Sequence, residues 1–425
     1  MLKFILNKKK DQYIIDFDIL VEPEITKFKE FKQFLNLFLS KKDTSIIKND
    51  KKEIKQIAGN LSSFLEIIDE VFPNNLAKNQ KELLSYYLSK NPSHKQGLEI
   101  NFHQKPFDSP FRYWSFILKQ DNFIDYFFNR INWYAGPKNE FVTSFPLHVD
   151  IESSSSCNMN CPMCYRSGLK ETGHMDMDLF KKAVDECAEH NIFSIRLSWR
   201  GETLSHPRIK EMIAYSTKKI KNVSFLTNAF YLNDDIIDCL IENKVSYIAV
   251  SFDGIDNIYE TIRYPAKFEE NYQKLNTLIS KRNAQKSNLP QIRLCTIWPA
   301  IKENPQAYYD RMKYVSDYIV QNPYINFAGP MTIKKDFICQ YPWERIVIAF
   351  NGKTQCCTGW NADDIILGNI KDMTIYKMWH SDMMNQIRKI HKNGKRMDLN
   401  SCAKCRHGSV GDPNVNIYEI IKRKY

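Results

Sequence analysis

Short apolar runs alternate with amphipathic stretches through the middle of the chain. FPLHVDI alternates as a strand does. MDLFKKAVDECAEH then places Phe180, Ala183, Val184 and Cys187 on one helical face, with Asp176 or Asp178 placed to cap it. The pairing recurs in IFSIRLSW with IKEMIAYSTKKI, VSFLTNA with DDIIDCLIENK, and SYIAVSFDG with FEENYQKLNTLISKR. QIRLCTIWP with AYYDRMKYVSDYIV follows, and YINFAGP reads as a final strand. The rhythm predicts an α/β fold over residues 146–332, a partial (β/α)6 TIM-like barrel or open parallel sheet. In such sheets the loops after the strands carry the chemistry.

On both sides the rhythm fails. Residues 1–140 read as mostly helical, because Phe28, Phe31, Phe34, Leu35, Phe38 and Leu39 recur at helical spacing, as do apolar positions in LSSFLEIIDEVF and KELLSYYL. Residues 2–19 have the character of two strands, and the aromatic-rich segment from Phe111 to Tyr134 reads as a helical layer on the next domain. Residues 336–410 form a small extension with five of the eleven cysteines, and residues 411–425 a basic tail.

A chain of 425 residues holds two or three domains and buries a core without disulfides. The net charge of +11 comes from lysines scattered among acids, so it reads as a solvated surface. No aromatic–basic array suggests a nucleic-acid partner. No apolar run reaches membrane length and no secretory signal stands out, so a cytoplasmic protein with no membrane partner is expected. In a reducing compartment cysteines read as metal ligands or core thiols. Cys187, Cys239 and Cys295, within predicted helices or a strand, read as small buried residues.

The run SSSSCNMNCPMCY, after the first predicted strand, holds Cys157, Cys161 and Cys164. Three thiolates fall one short of a closed tetrahedral zinc site unless a fourth ligand comes from elsewhere. A 4Fe-4S cluster held by three cysteines keeps one iron open. This C-x3-C-x2-C spacing, followed by Tyr165, resembles the cluster loop of radical S-adenosylmethionine (radical SAM) enzymes. Trp199-Arg200-Gly201-Glu202 after the second strand looks like that family's Gly-Glu motif. Thr227-Asn228 follows the third strand, Ser251-Phe252-Asp253-Gly254 the fourth, and Arg263 comes next. The fifth strand departs from the family, since IRLCTIWP lacks the glycines of its adenine-binding motif.

The resemblance implies S-adenosyl-L-methionine (SAM) chelated to the open iron, and a reducing partner such as flavodoxin or ferredoxin. Electron transfer to SAM would give a 5′-deoxyadenosyl radical that abstracts hydrogen from carbon. It implies Tyr165 beside the adenine and Gly201 and Glu202 at the amino group. Thr227, Asn228, Ser251, Asp253 and Arg263 would serve the remaining polar groups.

Cys339, Gly352 and Cys357 stand as C-x12-G-x4-C, followed by LGNI, a helix with Trp379, and Cys402-Ala403-Lys404-Cys405. Spacing alone leaves zinc and an iron–sulfur cluster open. The order resembles the SPASM/twitch extension of radical SAM enzymes. It implies one auxiliary 4Fe-4S cluster on Cys339, Cys357, Cys402 and Cys405, since no cysteine follows. Cys356 adjoins Cys357, and the glycine spacing favours Cys357 as the ligand. Cys356 then serves packing, alternative ligation or hydrogen donation, and Cys295 is a second candidate hydrogen donor.

The first expectation is an enzyme acting on a sugar or nucleotide sugar by dehydrogenation or epimerisation. The single-cluster extension resembles that of aminocyclitol dehydrogenases, and PWERIVIAFNGKTQCC resembles radical SAM proteins of surface-polysaccharide synthesis. The alternative is a maturase of a ribosomally made peptide, of the kind that carries an N-terminal recognition domain of strands and helices. A non-enzymatic iron–sulfur or zinc module for electron transfer or interaction is the third reading.

Overall fold

A computed structural model describes residues 2–9, 12–19, 98–101, 142–322, 337–359, 363–405 and 416–421, with single positions between 108 and 133 and at 324. The chain divides into two compact units, residues 1–104 with 124–142, and residues 105–123 with 143–425. In the first, β1 (Leu2–Lys9) and β2 (Gln12–Ile19) form an antiparallel hairpin. A third strand, β3 (Leu98–Asn101), pairs with the other edge of β1. The strands expected from residues 2–19 are present, while the helical runs from Phe28 to Leu39, LSSFLEIIDEVF and KELLSYYL lie outside the described residues.

The second unit is built on a sheet of nine strands among the described residues. β4 (His148–Ile151), β5 (Ser194–Arg196), β6 (Asn222–Thr227), β7 (Tyr247–Ser251), β8 (Gln291–Ile297) and β9 (Tyr318–Asn322) lie parallel in chain order. β10 (Arg345–Ile348) adds in parallel to the free side of β4, and β11 (Lys353–Gln355) and β12 (Ile366–Asn369) extend it antiparallel. The sheet is open, with β12 and β9 at its edges.

Helices alternate with the strands. They are α1 (Met177–Glu189), α2 (Ile209–Thr217), α3 (Asp234–Glu242), α4 (Asp256–Ile262), α5 (Phe268–Ala284), α6 (Trp298–Ile301) and α7 (Pro305–Met312). Asp176, rather than Asp178, caps α1 by accepting from the amides of Asp178 and Leu179. Val149, Ile195, Phe225, Ile248, Leu294 and Ile319 on one face of the sheet are wholly buried, as are Phe180, Met212, Leu240, Leu275 and Met312 on the helices. Each such side chain contributes about 1.5–3 kcal/mol. Cys187 and Cys239 are buried helical thiols. Strand alternation puts His148, Asp150, Arg196, Ser224, Arg293 and Cys295 on the opposite face, which is therefore polar.

The last parallel strand differs from the sequence expectation. AYYDRMKYVSDYIV reads as one helix, yet α7 ends at Met312 and β9 begins at Tyr318. Val315, Tyr318 and Ile319 fit helical spacing as well as a buried strand. Asp317 decides the matter, because its carboxylate pairs with Arg282 (2.5 Å) and accepts the Ile292 amide of β8 (2.8 Å). YINFAGP lies beyond β9 and, except for Tyr324, outside the described residues.

Part of the aromatic segment belongs to this unit. Phe116 lays its ring on Tyr247 and Tyr318 at centroid distances of 5.8 and 5.7 Å. Arg112 donates to the carbonyls of Lys313 and Ser316 at 2.8 and 2.7 Å. After β10 come α9 (Ile375–Trp379), α10 (Asp382–Lys392), α11 (Asn400–Ala403) and α12 (Ile417–Ile421), and α8 (Tyr341–Glu344) precedes it. Among the described residues no helix is long and apolar enough to cross a membrane.

Candidate active site

The loop leaving β4 is held in place before it reaches its cysteines. Ser153, Ser154 and Ser155 are fully buried. Ser153 donates to the Leu197 carbonyl (2.9 Å), Ser154 meets the Ser205 hydroxyl (2.9 Å), and Ser155 accepts the Gly173 amide (2.8 Å). Gly201 lies against this limb so closely that a Cβ would stand 2.5 Å from the Ser154 carbonyl oxygen. Its lack of a side chain serves the cysteine loop.

Beyond the serines, the predicted positions converge. Glu202 is buried and accepts from the Thr227 hydroxyl (2.7 Å) and the amides of Asn228 (2.7 Å) and Leu204 (3.1 Å). Burial pushes its carboxyl up, against these donors. Asn228 points its amide nitrogen at Asn158 (2.9 Å) and the Cys157 sulfur (3.8 Å). Arg263 directs one nitrogen to the Cys161 sulfur (3.5 Å) and pairs with Asp253 through another. Asp253 spends its second oxygen on the Ile297 amide of β8 (2.8 Å). Both Asp253 oxygens therefore have protein partners, and Asp253 orients Arg263. Burial opposes the guanidinium charge, but Asp253 and Cys161 outweigh it and hold Arg263 well above its ordinary range.

The three thiols lie within electrostatic reach of one another. Burial pushes Cys157 up, and Cys161 up to about 11. Such sulfurs suit a positive metal that displaces their protons. Two buried donors beside them, Arg263 Nε and Asn158 Nδ2, have no partner among the described residues. The donor set fits an anionic cluster with an open iron. Tyr165 follows Cys164 in a single 3-10 turn, where burial pushes its hydroxyl up. Ser251 ends β7 directly opposite Cys295 of β8, on the polar face.

Beneath the loop, Asp150 is wholly buried and pairs with Arg196 (2.7 Å) and Arg345 (3.0 Å). Burial alone would raise its carboxyl, yet the two arginines hold it far below the carboxylate range. His148 bridges Asp150 (3.1 Å) and Ser194 (2.8 Å), and burial pushes it down to about 4. Glu152 accepts two bonds from the Arg200 guanidinium (2.7 and 2.6 Å), one from the Arg200 amide (3.3 Å) and one from the Phe350 amide (3.1 Å). Sequence reasoning missed the serines and Glu152. Their only signal was polar residues directly after an apolar strand.

The C-terminal cysteines gather as a second group. Cys339, Cys357, Cys402 and Cys405 interact electrostatically. Cys356 is buried and its thiol donates to Cys357, which raises Cys356 and lowers Cys357. The Gly359 amide also donates to the Cys357 sulfur (3.3 Å). Cys357 is thus the thiolate-like member of the pair. Cys356 is 2% exposed. Gly352 has a φ of +86° in the β10–β11 turn, where its Cβ would strike Asn369. Sequence reasoning also missed His391, on α10 between Cys339 and Cys402. Burial and Arg396 push it down to about 4, so the ring is neutral near pH 7. Trp199 Nε1 donates to the Thr358 carbonyl (3.0 Å), linking the end of β5 to the residue after Cys357. Among the described residues no three metal-binding side chains close on a single-ion position.

The chain thus sets a three-thiol loop after β4 and gathers four further thiols in its C-terminal segment. Residues 151–288 match the Radical SAM superfamily, and residues 339–406 match the iron–sulfur cluster-binding domain SPASM. The chain carries a radical SAM domain and a SPASM domain, and its cofactors are 4Fe-4S clusters and SAM. It is 29% identical over 128 residues to the antilisterial bacteriocin subtilosin biosynthesis protein AlbA of Bacillus subtilis, spanning 29% of this chain and 28% of that protein. It is 24% identical over 270 residues to the S-adenosyl-L-methionine-dependent 2-deoxy-scyllo-inosamine dehydrogenase of Niallia circulans, spanning 62% of this chain and 93% of the dehydrogenase. The crystal structure of BtrN with AdoMet and 2-DOIA superposes with a TM-score of 0.45 at 20% identity, covering 64% of this chain and 97% of that one.

Proposed function

We propose that this radical SAM enzyme takes a small polar substrate, a sugar or nucleotide sugar, against the polar face of β4–β9. In this reading Cys157, Cys161 and Cys164 hold the SAM-binding cluster, and Cys339, Cys357, Cys402 and Cys405 the auxiliary one. The observation that carries the substrate class is that polar face. Arg196 on β5, Ser251 on β7 and Arg293 on β8 share one side of the sheet, a lining suited to hydroxyl and phosphate groups. The dehydrogenase relative supports it, because the match extends over 93% of that protein's length.

When bound, SAM and its cluster supply one-electron chemistry that removes a hydrogen atom from an unactivated carbon. The chain's own residues position and desolvate. Asp253 fixes Arg263, Glu202 ties the β5 and β6 loops together, and the serines fix the cysteine loop. Burial keeps Cys295 protonated, as a hydrogen-atom donor must be, and it faces the same side as Ser251. That placement favours epimerisation over dehydrogenation. An external one-electron donor such as flavodoxin or ferredoxin completes the cycle.

The peptide-maturase reading is favoured by the β2-β1-β3 sheet, whose edges offer backbone pairing to an extended peptide. The bacteriocin biosynthesis relative is consistent with it. Anaerobic reconstitution, followed by incubation with C-deuterated nucleotide sugars and reductant, tests the proposal. About eight irons per chain and deuterium in the released 5′-deoxyadenosine are expected. Fully loaded protein that leaves every sugar untouched, and deuterates 5′-deoxyadenosine only from a labelled peptide, would transfer the assignment to the second reading.

A further inference from the structure

His391 sits in the last turn of α10 with 2% of its surface exposed. Its two ring nitrogens face two different cysteines of the C-terminal group. The Cys339 amide donates to Nδ1 (3.4 Å), and Nε2 lies 3.4 Å from the Cys402 sulfur. A backbone N–H can only donate, so Nδ1 presents its lone pair. With Nδ1 accepting, the ring proton is on Nε2, directed at sulfur. The Cys402 segment is also held from its backbone side. Arg396 donates to the carbonyls of Cys402 (2.7 Å) and Cys405 (3.4 Å), and the Ser401 amide donates to Asp364 (3.0 Å). Sulfur and ring therefore meet in a fixed geometry.

We propose that His391 is a positioning residue of the auxiliary cluster, donating from Nε2 to the Cys402 thiolate and raising the cluster's reduction potential. The physical reason is charge. An N–H···S bond draws electron density from the sulfur and stabilises the reduced cluster more than the oxidised one. The same ring ties Cys339 to Cys402, so ligands from distant parts of the chain are set by one side chain. The inference rests on the reading of Cys339, Cys357, Cys402 and Cys405 as the cluster ligands.

The test uses the full chain with Cys157, Cys161 and Cys164 replaced by alanine, so that only the auxiliary cluster forms, with about four irons. Its midpoint potential is followed by EPR-monitored redox titration. His391→Leu is expected to keep the iron and shift the potential to a more negative value. His391→Gln, whose amide can donate to the same sulfur, is expected to restore much of the shift. An unchanged potential in iron-loaded His391→Leu overturns the inference. If that variant fails to hold iron, the unmutated histidine decides. Pulsed EPR of the reduced cluster in protein labelled with 15N-histidine is expected to show a nitrogen coupling, and its absence overturns the proposal. A parent protein that binds no iron overturns the cluster reading and this inference with it, whereas iron without the coupling overturns the inference alone.

Discussion

Gly201 has no room for a methyl group, because its nearest neighbours are the backbone atoms of Ser154, Ser155 and Ser156. Gly201→Ala should push the cysteine loop outward at a cost of about 1–3 kcal/mol. Iron analysis should show a fall from about eight toward about four per chain, with the auxiliary cluster retained. Asp253→Asn strips Arg263 of its ion pair in a nearly dry setting, a loss of roughly 3–5 kcal/mol by analogy with broken buried pairs. Weaker SAM binding in equilibrium dialysis should accompany it. For Cys295→Ala, 5′-deoxyadenosine should still be released with substrate present, while solvent deuterium no longer enters the product. Continued deuterium incorporation would remove Cys295 from that role. Thr227, Asn228, Ser251 and Asp253 stand out in the sequence because they lie at or just after strand ends, whereas Arg263 follows a helix. Their pairings do not stand out. Nothing in the one-dimensional order says that Asp253 is taken up by Arg263 and Ile297, or that Gly201 serves the serine limb.

Among the elements, α1, α2, α3, α5 and the strands β4–β8 follow from apolar periodicity, because each strand is a short buried run followed by an amphipathic helix. β9 escaped because Val315, Tyr318 and Ile319 satisfy both periods, and only the ion pair of Asp317 with Arg282 separates them. β10–β12 escaped because their partners are remote in sequence. β4 carries a titration that can be measured. Unfolded, His148 takes a proton near pH 6.5. Folded, it resists until about 4. Unfolding therefore takes up a proton between those values, and stability falls as pH drops through that window and is complete above it. The loss amounts to roughly 3 kcal/mol, and urea denaturation at successive pH values should show it. His148→Gln should flatten the curve. Trp199→Phe tests the link between β5 and the auxiliary segment. Loss of its hydrogen bond to Thr358 should cost about 1 kcal/mol and accelerate iron loss from the auxiliary site alone.

At the scale of the whole second unit, the two cysteine groups belong to one sheet. Arg345 on β10 pairs with Asp150 on β4, and it lies close enough to Cys357 to help lower that thiol. Within residues 336–410, β10, β11 and β12 continue the sheet of β4–β9 by hydrogen-bonded register. Arg345 pairs with His148, closing 197 residues of chain (345 minus 148) between neighbouring strands. Such closure is slow and comes late, since the entropy of the intervening chain must be overcome before the contact repays it. On the ribosome, β4 and its cysteine loop emerge long before β10 is made. For that interval β4, the strand that leads into the loop of Cys157, Cys161 and Cys164, has an unpaired edge. Arrival of β10 closes that edge, so the sheet that carries the cysteine loop is completed only after residues 345–348 have been made.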